Sequence, residues 1–256
     1  RQTAGIEQRP PVGAPLFRGA VKPLVLIPQH FGSLVFDRRN SRYLPFDQEC
    51  TELLRQSEHS PASPSLAEPL HSLGFWTLDG SFDGEILPLD PPKGHLAGPL
   101  AVHLEVTASC NLTCTHCFAG QLPRKEPPLS LSELDQLFQQ LAALGCFRLG
   151  LTGGEPLLRK DLLEILDCAT GHGLHPCLTT NALLLNENLA RELGKRRLVW
   201  LNVSLEGASA ESNDPVRGQG TWGRVRDKVD LLRRHARFTM AFTINSRNAE
   251  EIAECA

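Results

Sequence analysis

The sequence predicts an α/β fold: parallel βα units from residue 101 to 256, preceded by a small winged-helix-like β/α module over residues 21–90. Three observations predict it. From residue 101, strand-like runs alternate with amphipathic helical runs, the pattern of repeated βα units. A proline-rich stretch with Pro88, Pro91, Pro92 and Pro99 separates those units from a differently patterned segment before them. Every residue of unusual chemistry follows a strand, on the rim where parallel βα folds gather their functional groups.

Bulk composition bounds the rest. A chain of 256 residues suits one large domain, or a medium one plus a small one. It has 41% hydrophobic and 21% charged residues, with 26 Lys and Arg against 29 Asp and Glu, giving a net charge of −3. That argues against wholesale disorder and offers no basic excess for nucleic acid or an anionic membrane. Apolar stretches such as Leu24–Pro28 and Leu183–Leu185 fall far short of the ~20 residues a membrane span needs. Nothing near Arg1 reads as a signal peptide, so a reducing cytoplasm is expected, and the lack of an initial Met suggests a fragment or a processed chain.

Residues 1–20 carry Pro10, Pro11 and Pro15 with no apolar period and read as a lead-in. Leu24–Ile27, Ser33–Phe36 and Arg42–Leu44, separated by Pro28 and the turn residues Asp37–Ser41, read as a strand meander. Asp47 is placed to cap a short helix through Cys50, Leu53 and Leu54. After the Ser57–Pro64 loop comes a helical piece around Leu66–Leu73, stopped by Gly74. Phe75–Leu78 and Phe82–Ile86 then resemble a two-stranded wing, and residues 91–100 form a linker.

Beyond it, strands are expected at Val102–Val106, Phe147–Leu151, Pro176–Thr180, Leu198–Leu205 and Phe238–Ile244. Ser130 and Glu133 have capping-box spacing ahead of Leu134, Leu137, Phe138, Leu141 and Leu144, and Gly145 ends that helix. A second helix runs from Asp161 to Gly171, a third from Asn186 to Gly194, and a fourth through Trp222, Val225, Val229 and Leu232. A fifth begins at Ala249.

Of eight cysteines, Cys110, Cys114 and Cys117 cluster after the first of these strands, while Cys146, Cys168 and Cys177 read as core thiols. Three soft thiolates in one loop suit a metal centre. A structural zinc site ordinarily has four ligands, often as two pairs, and the next cysteine, Cys146, lies beyond a predicted helix. An iron–sulfur cluster held by three thiolates keeps one iron open to another ligand. A zinc site and a Cys-x-x-Cys redox pair stand as the alternatives.

The loop Cys110-Asn111-Leu112-Thr113-Cys114-Thr115-His116-Cys117-Phe118 resembles the cysteine motif of the radical S-adenosylmethionine (SAM) superfamily. Gly153-Gly154-Glu155-Pro156 after the second strand is similar to a second motif of that family. Thr180-Asn181, Ser204-Leu205-Glu206-Gly207 and Asp214-Pro215-Val216-Arg217-Gly218 resemble its peptide-maturing, SPASM-like branch, which usually has Asp where this chain has Glu206. The resemblance implies a (β/α)6 barrel, of which five strands are present, so the sequence reads as truncated. It implies that Cys110, Cys114 and Cys117 hold a [4Fe–4S] cluster whose open iron is chelated by the SAM amino and carboxylate groups. Gly153, Gly154 and Glu155 would contact the SAM amino group through backbone and side chain. Asn181, Ser204 and Arg217 would address ribose hydroxyls and the SAM carboxylate, with His116 beside adenine. Reductive cleavage of SAM would then give a 5′-deoxyadenosyl radical that abstracts a substrate hydrogen, with electrons from a flavodoxin or ferredoxin.

Each residue also has a plainer role open to it: Gly153-Gly154 as a βα turn, Asn181 as a turn cap, Ser204 at a strand end, Arg217 as a surface charge, Glu155 in a helical first turn. In the peptide-maturing branch a winged module often precedes the barrel and binds the leader of a ribosomally made precursor peptide by strand addition. Residues 21–90 have its size and order, and the alternative is a packing extension of the barrel. The expected function is thus radical SAM chemistry on a precursor peptide. A small metabolite or folded protein as substrate, or a non-catalytic zinc-stabilised binding protein, are the alternatives.

Overall fold

The computed structural model describes residues 22–56, 68, 70–77, 81–121, 127–246 and 248–255. The lead-in, the Ser57–Pro64 loop, Leu66 and Leu78 lie outside the described residues. The chain divides into two compact units, residues 1–95 and 96–256.

In the first unit, β1 (Leu24–Gln29), β2 (Gly32–Asp37) and β3 (Arg42–Asp47) form the antiparallel meander read from the sequence. The β1–β2 turn depends on Gly32. Its φ is +141°, and a Cβ there would stand 2.4 Å from the Phe46 carbonyl oxygen. Asp47 Oδ1 accepts from the Cys50 N–H at 2.9 Å, opening α1 (Gln48–Gln56) as expected. The wing is only partly formed: Trp76 and Phe82 make an isolated antiparallel bridge. The end of the expected second wing strand instead becomes β4 (Gly84–Ile86), which pairs in parallel with β1. The sheet order is β3-β2-β1-β4. Leu24, Leu26, Val35, Leu54, Phe75, Trp76 and Phe82 form its core.

The second unit is a five-stranded, wholly parallel sheet in sequential order: β5 (Ala101–Thr107), β6 (Arg148–Gly153), β7 (His175–Thr180), β8 (Leu201–Ser204) and β9 (Thr239–Ala241). Between them lie α2 (Leu131–Ala143), α3 (Leu162–Gly171), α4 (Glu187–Lys195), α5 (Ala210–Arg217) and α6 (Thr221–Leu232), with the short α7 (Ile252–Cys255) last. This is the parallel α/β arrangement that the alternation of strand and helix predicts. The apolar stripes of the helices bury Leu134, Phe138, Ile165, Ala169, Val225 and Leu232 against Leu149, Leu151, Leu178, Leu201 and Val203. The alternate strand positions His103, Glu105, Thr152, Thr179 and Asn202 are polar and lie on the opposite face of the sheet from those leucines and valines.

The Ser130–Glu133 capping box forms in both directions, and Asn186 Oδ1 accepts from the Leu189 N–H at the start of α4. Asp161 makes no side-chain cap, because its carboxylate is taken by the Arg159 guanidinium at 2.6 and 2.8 Å. The fourth and fifth strands are shorter than the sequence suggested. Helix α5 escapes a periodicity reading because it carries Pro215 and just one apolar side chain beyond alanine and proline, Val216. Cys146 is fully buried, and burial pushes its thiol up to about 11. Cys168 lies at the core's edge: it is partly buried on α3, packed against the core, and donates to Asp135 Oδ1. Cys177 is likewise only partly buried. No helix among the described residues is long and apolar enough to cross a membrane.

Candidate active site on the strand-end rim

The sequence-selected residues sit on four consecutive strand ends. Cys110, Cys114 and Cys117 follow β5; Gly153, Gly154 and Glu155 close β6; Asn181 follows β7; Ser204 ends β8, and Arg217 ends α5 beyond it. Parallel strands in sequential order bring these ends to one rim.

The cysteine loop is irregular and held by its neighbours. The Thr115 N–H donates to the Val216 carbonyl of α5 at 2.9 Å. Asn111 Oδ1 accepts from Asn181 Nδ2 at 2.8 Å, tying the loop after β7 to the cysteines. The Leu112 N–H points at Cys110 Sγ, 3.4 Å away. Cys110 is exposed, Cys114 and Cys117 are partly buried, and all three are free thiols. Burial pushes the Cys114 thiol up, the Arg217 charge opposes that, and the neighbouring Cys110 and Cys117 add to it.

The glycines are required by this chain's own backbone. A Cβ on Gly153, where φ is +137°, would lie 2.3 Å from the Thr107 carbonyl oxygen. One on Gly154 would lie 2.1 Å from that of Ser109. The Gly154 and Glu155 N–H groups donate to those same two carbonyls at 2.7 and 2.8 Å. The close approach thus seats the β6 loop on the base of the cysteine loop.

Glu155 is 1% exposed. Its Oε1 accepts from the Thr180 hydroxyl (2.6 Å) and the Leu157 N–H (3.0 Å), and Oε2 accepts from the Asn181 N–H (2.7 Å). Burial pushes this carboxyl up against the pull of those donors. The side chain acts as a brace between the β6 and β7 loops, which leaves main-chain atoms of this segment as its means of reaching a ligand. Asn181 is similarly engaged: besides Asn111, its Oδ1 accepts from the Leu183 N–H at 3.0 Å.

Arg217 is buried against Glu206, with Nη2 at 2.6 Å and Nε at 3.2 Å from Glu206 Oε1. Glu206 Oε2 accepts from the Thr243 N–H at 2.8 Å, and His116 Nε2 lies 3.5 Å from Oε1. Glu206, whose role the sequence left open, therefore joins His116 of the cysteine loop, Arg217 and the loop after β9. Beside it, the buried Asn213 accepts from the Glu206 N–H, and Asp214 receives the Gly220 and Trp222 N–H groups at the start of α6. Sequence reasoning missed Asn111, Thr180 and Asn213. Their signal was adjacency to selected residues, but the fold sets their partners: Asn111 meets Asn181 across 70 positions of sequence, Thr180 meets Glu155 across 25, and Asn213 meets Glu206 across 7.

The donor set fits a multi-iron cluster better than a single ion. Among the described residues, one group of three His, Cys, Asp or Glu ligand atoms lies within 4.8 Å of one another, and it is not the cysteine loop. A tetrahedral zinc, with Zn–S near 2.3 Å, holds its sulfurs about 3.8 Å apart. A cluster that gives each thiolate its own iron takes a wider spread.

Comparison with known proteins agrees. Mycofactocin maturase MftC of Mycolicibacterium smegmatis is 30% identical over 164 residues, covering 63% of this chain and 42% of that protein. The AdoMet-dependent heme synthase of Methanosarcina barkeri is 35% identical over 161 residues, covering 61% and 46%. The chain therefore spans less than half the length of these curated relatives. The crystal structure of Streptococcus suis SuiB bound to precursor peptide SuiA superposes with a TM-score of 0.65 at 15% identity, over 91% of this chain and 58% of that one, a likeness of fold. The family model of the radical SAM superfamily matches residues 104–256, and this chain belongs to that superfamily.

Proposed function

We propose that this chain carries the catalytic core of a radical SAM enzyme that modifies a ribosomally made precursor peptide. The observation that carries the reading is the convergence, on one strand-end rim, of three free thiols and the braced Gly153–Glu155, Asn181 and Arg217 segments. Cys110, Cys114 and Cys117 would hold the [4Fe–4S] cluster. The chemistry supplied when cluster and SAM are bound is reductive cleavage of SAM and abstraction of a substrate hydrogen. The protein's part is to position and shield. In this reading the Gly153–Glu155 main chain faces the SAM amino group, with Asn181 and Ser204 near the ribose. Arg217, its charge partly met by Glu206, stands toward the carboxylate, and His116 lies beside the adenine. The polar strand face of His103, Glu105, Thr152, Thr179 and Asn202 would line the substrate space.

The peptide assignment draws on the relative named a mycofactocin maturase and on the SuiB–SuiA likeness. It also draws on the first unit, where β3 is a six-residue edge strand able to accept an added strand. A flavodoxin or ferredoxin in a reducing cytoplasm would supply electrons. Similarity to the heme synthase supports a second reading, the same chemistry on a small metabolite.

Electron paramagnetic resonance of the anaerobically reconstituted, dithionite-reduced protein tests the first part. A reduced cluster signal that changes on adding SAM is expected, and a signal indifferent to SAM overturns it. Titrating the whole chain with the precursor peptide encoded nearby tests the second. No binding at about 50 μM, some −6 kcal/mol, favours the metabolite reading.

A further inference from the structure

We propose that Asp135, Cys168 and His172 form a second metal site, of the zinc class, that clips α2 to α3 on the outer helical layer. It uses none of the rim residues and does not depend on the reaction assigned to them.

Cys168 and His172 are four positions apart, so they share one face where α3 ends, and α2 packs alongside with Asp135 toward them. Asp135 Oδ1 accepts from His172 Nε2 at 2.7 Å and from Cys168 Sγ at 3.3 Å. The three ligand atoms lie within 4.8 Å of one another, the one such group among the described residues. Beneath them Leu134, Phe138, Ile165 and Ala169 are buried, so the backbone spacing of the trio is set by the core.

The order of contacts decides which chemistry the trio suits. A nucleophilic cysteine needs its imidazole on the thiol, with the carboxylate behind the imidazole. Here the carboxylate stands between thiol and imidazole, so the histidine has no access to the sulfur proton. That is the arrangement of three ligands around a point. Sulfur, nitrogen and oxygen donors together suit zinc, whose ligand atoms in a tetrahedral site lie about 3.3–3.8 Å apart, a small rotamer adjustment from the present spacing.

Charge and protons balance. Binding Zn²⁺ releases the Cys168 thiol proton to solvent. The Nε2–H that faces Asp135 without metal gives way to the Nδ1–H tautomer of the neutral imidazole, which frees Nε2 for the ion, and Asp135 binds as the carboxylate. One thiolate, one carboxylate and a neutral imidazole cancel the two positive charges. Asp135 and His172 are 55% and 27% exposed, so an ion can enter from solvent, and the fourth position is left to water.

The test is zinc-edge X-ray absorption on the cluster-reconstituted chain, stripped with a chelator and then given one equivalent of Zn²⁺. The expected spectrum shows one sulfur at about 2.3 Å and two or three nitrogen or oxygen neighbours at about 2.0–2.2 Å. A shell of three sulfurs would put the zinc in the cysteine loop and overturn the proposal, as would failure to retain zinc. Cys168→Ser and His172→Ala should each weaken zinc retention against a chromophoric chelator about tenfold or more, with the iron content unchanged. Equal retention in the variants and the parent also overturns it. Should a variant fail to fold, the spectrum of the unsubstituted protein decides alone.

Discussion

Arg217 places both Nε and Nη2 on a single oxygen of Glu206, leaving the other Glu206 oxygen to the Thr243 N–H. Both side chains are buried. The arginine that the family resemblance directs toward SAM is thus held in place before any ligand arrives. The residue holding it is the one at which this chain departs from the Asp usual in the branch. Removing one member of a buried pair strands the other charge. Glu206→Gln should cost about 3 kcal/mol in urea unfolding. Glu206→Asp, one methylene too short to reach both Arg217 and Thr243, should cost about 1–2 kcal/mol.

Glu155→Ala should destabilise the chain by about 2–4 kcal/mol, because the buried Asn181 N–H and the partly buried Leu157 N–H lose their acceptor. The effect depends on pH in a defined sense. Burial raises this carboxyl, so the folded state binds its proton more tightly than the unfolded chain does. The stabilisation tied to that proton is complete below the unfolded value of about 4.3 and is lost as pH rises through the folded one. The stability difference between parent and Glu155→Ala should therefore be larger near pH 4 than near pH 8, as measured by denaturant titration at both. An unchanged or opposite trend would contradict the burial argument.

Alanine at Gly154 would meet the Ser109 carbonyl, and at Gly153 the Thr107 carbonyl with an adverse φ as well. Each substitution should cost about 3 kcal/mol or more and lower iron uptake on reconstitution, since the displaced atoms belong to the base of the cysteine loop. Gly223, inside α6, has open space where a Cβ would go, so Gly223→Ala should raise stability by about 0.5–1 kcal/mol. Thermal melts of the three variants make the comparison.

Substituting Cys110, Cys114 or Cys117 by alanine should each reduce reconstituted iron from about four atoms per chain to below about one. Cys146→Ala should leave iron unchanged and cost about 1–2 kcal/mol as a buried sulfur is deleted. Iron assays with urea titrations separate the two classes.

Much of this was legible in the residues because it is local. The Ser130–Glu133 box, the Asp47 and Asn186 caps, the 3.6-residue period of α2 and the alternation of strand and helix depend on neighbours within a few positions. So does the Cys-x3-Cys-x2-Cys spacing. Other features were not legible for the opposite reason. Helix α5 lacks an apolar stripe and is held by polar partners from elsewhere: Asn213 by the Glu206 N–H, and Val216 by Thr115. Strand β4 reads as half of a wing until β1 offers its free edge in parallel. Cys168 reads as core until α2 brings Asp135 against it.

The parallel βα class, the order of its elements and the loop that carries three thiols are written locally, since periodicity, capping and spacing are properties of a single stretch of chain. What the selected side chains do is settled by contacts made on folding. Glu155 turns inward as a brace, Gly153 and Gly154 make room for backbone, and Glu206 holds Arg217. The Glu155 and glycine contacts join different strand ends and exist only once those ends have been brought to one rim, while the Glu206–Arg217 pair forms as α5 folds back on the loop after β8.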